Sequence, residues 1–255
     1  MRCKSLSPPR RALIAAGLVW LAAAPAALAA DVQAAVAANF TEPARDIAAA
    51  FKARTGNEVT LSFGSSGQFY AQISQGAPFE VFLSADAERP ARAESDGLAV
   101  QGSRFTYAVG RLALYSRDPG LVDGRGKVLA QGRFDKLAVA DPATAPYGAA
   151  AVQTLQALGL YPKLKSRLVR GANITQAFQF AQSGAAELGF VAMSQVAGRQ
   201  GGSRWIVPER LHRPIAQQAV LLDPGRDDPA ARAFLAFLKG PEAKRIIRRY
   251  GYGTP

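Results

Sequence analysis

Four short loops of uncharged residues carry the groups in this chain that point most directly to chemistry. They are Ala38-Asn39, Gly64-Ser65-Ser66-Gly67, Ala145-Pro146-Tyr147-Gly148 and Ala172-Asn173-Ile174-Thr175. Each follows an apolar, strand-like run and leads into a helix-like segment. A helix start presents backbone N–H groups without intrahelical acceptors, together with the positive end of the peptide dipoles, and so favours an anion. None of the loops sets a Lys, Arg, Asp or Glu against such a ligand; Arg170 precedes the fourth helix start. Neutral donors suit a fully ionised oxyanion, because a counter-ion would itself have to be dehydrated. Each hydrogen bond to a charged group is worth about 1.5–3 kcal/mol, so some five of them supply about 8–12 kcal/mol before ordering costs. That is the range of micromolar to nanomolar binding. The competing reading is local: Ser, Thr and Asn are ordinary N-caps, Gly-Ser-Ser-Gly is a generic turn, and Tyr147 is a half-buried aromatic. The joint occurrence of uncharged loops in both halves of the chain weighs toward the anion.

The elements that must position these loops alternate between strand and helix, the pattern of an α/β fold with largely parallel sheets. The spacing predicts a strand over Val32–Ala37 and a helix over Phe40–Arg54, with Thr41 as N-cap, Pro43 in the first turn and Gly56 as the stop. A strand over Val59–Phe63 and a helix over Gln68–Gln75 follow, then a buried strand at Val81–Leu83. The unit recurs as strand Leu137–Ala140 with helix Gly148–Leu158, and as strand Leu168–Val169 with helix Ile174–Gln182. A further strand covers Leu188–Ala192, and helices over Pro229–Leu238 and Pro241–Tyr250 close the chain. Two long strands, Phe105–Tyr115 and Ala216–Leu222, bracket the central block. The simplest architecture has one lobe from both termini (31–110 and 214–255) and a second from the middle (111–213). Two crossing strands would join them, the layout of a hinge-closing binding protein. In open parallel sheets the loops at the carboxyl edge hold the ligand, so lobe closure would aim all four helix starts at one point.

Residues 1–30 read as a signal peptide. Arg2, Lys4, Arg10 and Arg11 precede an apolar run from Ala12 to Ala30 that ends in the small-x-small site Ala27-Leu28-Ala29. A membrane anchor is the alternative, against which the run is short and alanine-rich. Removal of that leader leaves 225 residues of the 255 and lowers the formal charge from +12 to +8, since it carries four cations and no acid. The remaining Lys and Arg are scattered. Their densest group, Lys244, Arg245, Arg248 and Arg249, reads as the solvated face of an amphipathic helix rather than a nucleic-acid patch. Cys3, the single cysteine, lies in the leader, which excludes disulfides and thiolate chemistry from the exported chain. His212, the sole histidine, reads as structural, and Asp86 as a loop anchor whose carboxylate would repel an anionic ligand.

At these residues the sequence resembles the periplasmic molybdate-binding proteins of ABC transporters. The features are Ala37-Ala38-Asn39-Phe40, the Gly64 to Gln68 loop, the run from Gly76-Ala77-Pro78 to Ser84-Ala85-Asp86, Gly102 to Gly110, Ala145 to Gly148 and Leu188 to Ala192. The resemblance implies a two-lobed type II binding-protein fold, with each lobe a mostly parallel sheet flanked by helices. It implies molybdate or tungstate as ligand, held by neutral donors, with no cofactor and no free metal ion. By motif position, Asn39 and the Ala38 amide match the first ligand loop, and Ser66 matches a serine that contacts the oxyanion. Tyr147 matches the position after the Ala-Pro pair, and Thr175 with Ile174 beside it matches the amide at the fourth helix start. Ala38 stands where a hydroxyl residue is common, Ala192 where one branch has a tyrosine, and Thr175 where an apolar residue is usual. The implied partners are an ABC permease with its ATPase, for a monomeric periplasmic carrier.

Two other functions compete. A hydrolase in the same cleft would need a nucleophile elbow or a phosphate loop, and neither is present. With one His and no Cys in the exported chain, nucleophile activation by histidine would rest on His212 alone. A receptor for sulfate or phosphate would use the same loops, whereas an organic carboxylate usually draws an arginine clamp.

Overall fold

The computed structural model describes residues 31–255, so the expected leader lies outside the described residues. Ten strands form two five-stranded sheets. The first sheet contains β1 (Asp31–Ala37), β2 (Glu58–Gly64), β3 (Val81–Leu83), β4 (Phe105–Gly110) and β10 (Ile215–Leu221). The second contains β5 (Leu112–Ser116), β6 (Leu137–Ala140), β7 (Leu168–Gly171), β8 (Leu188–Ala192) and β9 (Ser203–Ile206). Their orders, β2-β1-β3-β10-β4 and β7-β6-β8-β5-β9, are the same pattern twice. In each sheet the fourth strand, β10 or β5, runs antiparallel to its neighbours, and the first three pair in parallel. These are the two α/β lobes expected.

The helices are α1 (Thr41–Thr55), α2 (Ser66–Ser74), α3 (Glu88–Ser95), α4 (Val128–Gln131), α5 (Pro146–Ala157), α6 (Tyr161–Leu164), α7 (Ile174–Ser183), α8 (Met193–Val196), α9 (Pro229–Lys239) and α10 (Pro241–Arg249). The sequence supplies their ends. Ser65 caps α2 through a capping box with Gln68, and Asn173 and Asp228 cap α7 and α9 through their side-chain oxygens. Gly56 ends α1 at φ 79°, a left-handed conformation that costs glycine nothing. Thr41 does not act as the N-cap expected of it. A 3-10 turn at Ala38–Phe40 precedes α1, and the Thr41 hydroxyl donates to the Ala38 carbonyl at 2.8 Å.

The long strand expected over 105–115 is two strands in different sheets, broken at Arg111 between β4 and β5. The second long strand, β10, stays within the first sheet, and the return between sheets runs through the segment after β9. Apolar cores line both sheets. In the first, α1 packs on α9 through fully buried Phe51, which meets Phe234 and Phe237 edge-on at 5.3 and 5.6 Å. Truncating a buried Phe costs about 3–5 kcal/mol, lost transfer energy and residual cavity together. Phe51→Ala is therefore expected to lower the unfolding free energy by about that amount in urea titration. Among the described residues, no helix is long and apolar enough to cross a membrane.

Candidate functional site

The carboxyl ends of β1 and β2 in one lobe face the starts of α5 and α7 in the other, around a small pocket with a cavity volume of about 10 Å³. It is far smaller than the roughly 300–1,000 Å³ of sites for drug-sized molecules, and leaves room for no more than a small ion. Its lining is Ala37, Ala38, Asn39, Gly64, Ser65, Ser66 and Ala85 from the first lobe, with Ala145, Pro146, Tyr147, Asn173 and Ile174 from the second. None carries a charge. Of the residues singled out from sequence, Ala38, Asn39, Ser66, Tyr147 and Ile174 meet here. Thr175 is not in the lining: its amide donates to Asn173 Oδ1 at 3.0 Å and its hydroxyl to the Ala38 carbonyl at 3.2 Å.

Accounting for donors shows what each helix start has left to offer. At α2, the Gly67 amide crosses to the Thr144 carbonyl at 2.8 Å and the Gln68 amide is taken by Ser65 Oγ, which leaves the Ser66 amide. At α7, Asn173 Oδ1 takes the amides of Thr175 and Gln176, leaving that of Ile174. At α5, Pro146 has no N–H and the Gly148 amide returns to the Ala145 carbonyl, leaving that of Tyr147. The first amides of the Ala38–Phe40 turn likewise have no partner within it. Capping thus consumes the neighbours and frees at least one donor per loop. Ser66 adds a hydroxyl: its Oγ accepts the Ala85 amide at 2.9 Å, so its own proton is available to the pocket.

The two lobes hold each other on both sides of this pocket. Besides Gly67 to Thr144, Arg89 Nη2 donates to the Ala143 carbonyl at 3.3 Å, and Ser194 Oγ donates to the Asn39 carbonyl at 2.9 Å. Arg89 is also paired with Asp86, so that carboxylate is satisfied at the rim and lies outside the lining.

Beneath the pocket lies a polar cluster that the sequence did not disclose. Asn39 Nδ2 donates to Gln217 Oε1 at 2.8 Å and to the Tyr252 hydroxyl at 2.9 Å, and Tyr252 donates to the Asn39 carbonyl at 2.6 Å. The Asn39 side-chain donors are therefore spent inside the protein. Tyr107 and Tyr147 complete the cluster. These partners are up to 213 residues from Asn39. The only local sign of them is Gln217 itself, a polar residue at an inward position of an alternating apolar strand.

Burial holds the hydroxyls of Tyr107 and Tyr147 well above the ordinary tyrosine range, and that of Tyr252 at about 12. A folded pKa above the unfolded value of about 10 gives stability that is complete below pH 10 and is lost as pH climbs from there toward 12. Unfolding followed by circular dichroism is expected to coincide with tyrosinate absorbance over that window rather than to follow it.

His212, near the start of β10, donates from Nδ1 to the Arg213 carbonyl at 2.8 Å and is away from the pocket. Among the described residues no group of three His, Cys, Asp or Glu is placed to hold a metal ion.

Comparison with known proteins adds independent findings. The model of the family described as "bacterial extracellular solute-binding protein" matches residues 32–253. The molybdate-binding protein ModA of Rhodobacter capsulatus is 58% identical over 245 residues, covering 96% of each chain. ModA of Azotobacter vinelandii is 55% identical over 246 residues, covering 95% of this chain and 97% of that one. Among solved structures, an Azotobacter vinelandii periplasmic molybdate-binding protein superposes with a TM-score of 0.85 at 43% identity, covering 88% of this chain and 99% of that chain.

Proposed function

Because the chain belongs to the bacterial extracellular solute-binding proteins, and among them to the ModA molybdate-binding proteins, we propose that it captures molybdate between its two lobes and presents it to an ABC importer. It is a carrier and not an enzyme. The observation that carries the proposal is the pocket: four helix starts from two lobes converge on it, and nothing charged lines it. The ligand set is the amides of Ala38 or Asn39, Ser66, Tyr147 and Ile174, with the hydroxyls of Ser66 and Tyr147. Thr175 acts one step away, holding the Ala38 carbonyl. A dianion gains from every such donor, and without a fixed cation the site discriminates by size and shape rather than by charge alone.

Tungstate, of the same shape and charge, is the expected second ligand. The lobes are 31–110 with 214–255, and 111–213. They hinge at Arg111 and in the segment between β9 and β10, where the chain changes sheets. The carrier works in the periplasm as a monomer, exported by the leader at 1–30, and hands its ion to a permease with its ATPase. The test is calorimetric titration of the exported chain with molybdate, tungstate, sulfate and phosphate. One-to-one binding of the first two with little heat from the others is expected. Preference for sulfate or phosphate would overturn the choice of substrate, and silence with all four would overturn the site.

A further inference from the structure

Gln217 lies where the two lobes share hydrogen bonds beneath the pocket, and it does not line the pocket. Its side chain is fully buried, with none of its surface exposed. It sits at a break in register: Gln217 pairs with Ala108 and Gln218 with Thr106, which leaves Tyr107 of β4 unpaired between them. Such bulges re-aim side chains, and here both Tyr107 and Gln217 turn into the cluster. Gln217 Oε1 accepts from Asn39 Nδ2 at 2.8 Å and from the Tyr107 hydroxyl at 3.1 Å. Gln217 Nε2 donates to the Tyr147 hydroxyl oxygen at 3.3 Å. A carboxamide has one accepting end and one donating end, so the orientation of the whole set is fixed. The Tyr147 hydroxyl accepts that donation and also interacts with the Tyr252 hydroxyl of the same cluster. The space is tight: a Cβ on Gly110 would fall 2.2 Å from the Tyr147 hydroxyl and 2.8 Å from Gln217 Nε2.

We propose that Gln217 is a positioning residue for anion capture, joining Asn39 of one lobe to Tyr147 of the other and so fixing how these two pocket-lining residues sit. The inference rests on the oxyanion reading above. It extends that reading to a residue outside the lining that sets the position of two residues within it.

The test is titration of the wild-type chain, Gln217→Glu and Gln217→Met with molybdate at pH 6, 7 and 8. The groups facing position 217 are Asn39 after β1, Tyr107 on β4, Tyr147 on α5 and Tyr252 near the C-terminus. Asp86, paired with Arg89, acts on Tyr107 from the loop after β3. In Gln217→Glu an ionised carboxylate accepts at both ends, takes the Tyr147 proton and places a charge behind the anion. Its affinity is expected to fall about 100-fold at pH 8 and to recover about tenfold at pH 6, as the buried carboxyl takes up a proton and becomes a donor. Gln217→Met keeps the bulk without hydrogen bonds and is expected to bind about tenfold more weakly at every pH, a loss of one charge-assisted contact. Binding by Gln217→Glu within about threefold of wild type at pH 8, or a deficit equal to that of Gln217→Met at all three pH values, would overturn the inference. If the Glu variant does not fold, binding by Gln217→Met within about threefold of wild type overturns it. Failure of the wild-type chain itself to bind any oxyanion would fall on the oxyanion reading instead.

Discussion

Replacing Ser66 with aspartate is expected to abolish oxyanion binding, and replacing it with alanine to weaken binding by about 10- to 100-fold. Ser66 is 1% exposed, opens α2, and contributes to the pocket twice, through its amide and its hydroxyl. Because Oγ accepts the Ala85 amide at 2.9 Å, its proton has no competing acceptor in that bond and is directed to the ligand. Loss of a hydrogen bond to a charged group costs about 1.5–3 kcal/mol, and each 1.4 kcal/mol is about tenfold in affinity. Alanine also leaves the Ala85 amide unsatisfied, a further cost of about 1–3 kcal/mol. Most of that cost falls on the stability of the free protein rather than on binding. Aspartate instead sets a carboxylate against a dianion in a site with no cation to offset it. Calorimetry and urea unfolding on the same samples separate the two effects. Alanine binding within about threefold of wild type would remove Ser66 from the ligand set.

Gly148→Ala is expected to destabilise the protein by at least about 2 kcal/mol and to impair binding together with folding. Gly148 is the third residue of α5. A Cβ there would stand 2.2 Å from the Ala140 carbonyl oxygen at the end of β6, a contact of backbone that no side-chain rotation relieves. Relief requires the start of α5 to move away from the sheet, and that start carries the Tyr147 amide and hydroxyl to the pocket. Overpacking of this kind costs about 1–3 kcal/mol, occasionally more. Gly198→Ala is the control. A Cβ at Gly198 meets nothing within 4 Å, so this substitution should leave both the urea midpoint and affinity close to wild type. Equal midpoints for the two variants would contradict the packing account of α5.

The parts of this site that were legible in the sequence are those encoded locally. A strand, a short uncharged loop and a helix start are contiguous, so Ala38-Asn39, Ser66, Tyr147 and Ile174 could be read off without tertiary information, and the structure gathers them around one pocket. The difference between Ile174 and Thr175 was not legible. It depends on Asn173 folding its side chain onto the Thr175 and Gln176 amides, which sends Thr175 to the Ala38 carbonyl instead. The lobe boundary was set at 110/111, but the interruption of the strand there was not legible: the 105–115 run reads as one strand, and the chain changes sheets beside a glycine whose missing Cβ admits the Tyr147 hydroxyl. Helix α3 has two basic and three acidic or hydroxyl positions around Pro90, and little apolar signal beyond Ala93, so no amphipathic stripe marks it. Strand β9 is four residues long and follows Gly201-Gly202, which reads as a turn. The cluster of Asn39, Tyr107, Tyr147, Gln217 and Tyr252 is assembled from both lobes and the C-terminal segment. Only the complete topology brings it together.

The central claim is that one oxyanion sits between the lobes on neutral donors alone. The most direct measurement is a crystal structure of the molybdate-soaked protein with an anomalous difference map recorded at the molybdenum edge. The account predicts a single strong peak in the pocket, with oxygens within hydrogen-bonding distance of Ser66, Tyr147 and the Ile174 amide and no Lys or Arg in contact. A principal peak on the basic face of α10, beside Arg245 and Arg248, would contradict it, since attraction to scattered positive charge would then suffice to explain binding.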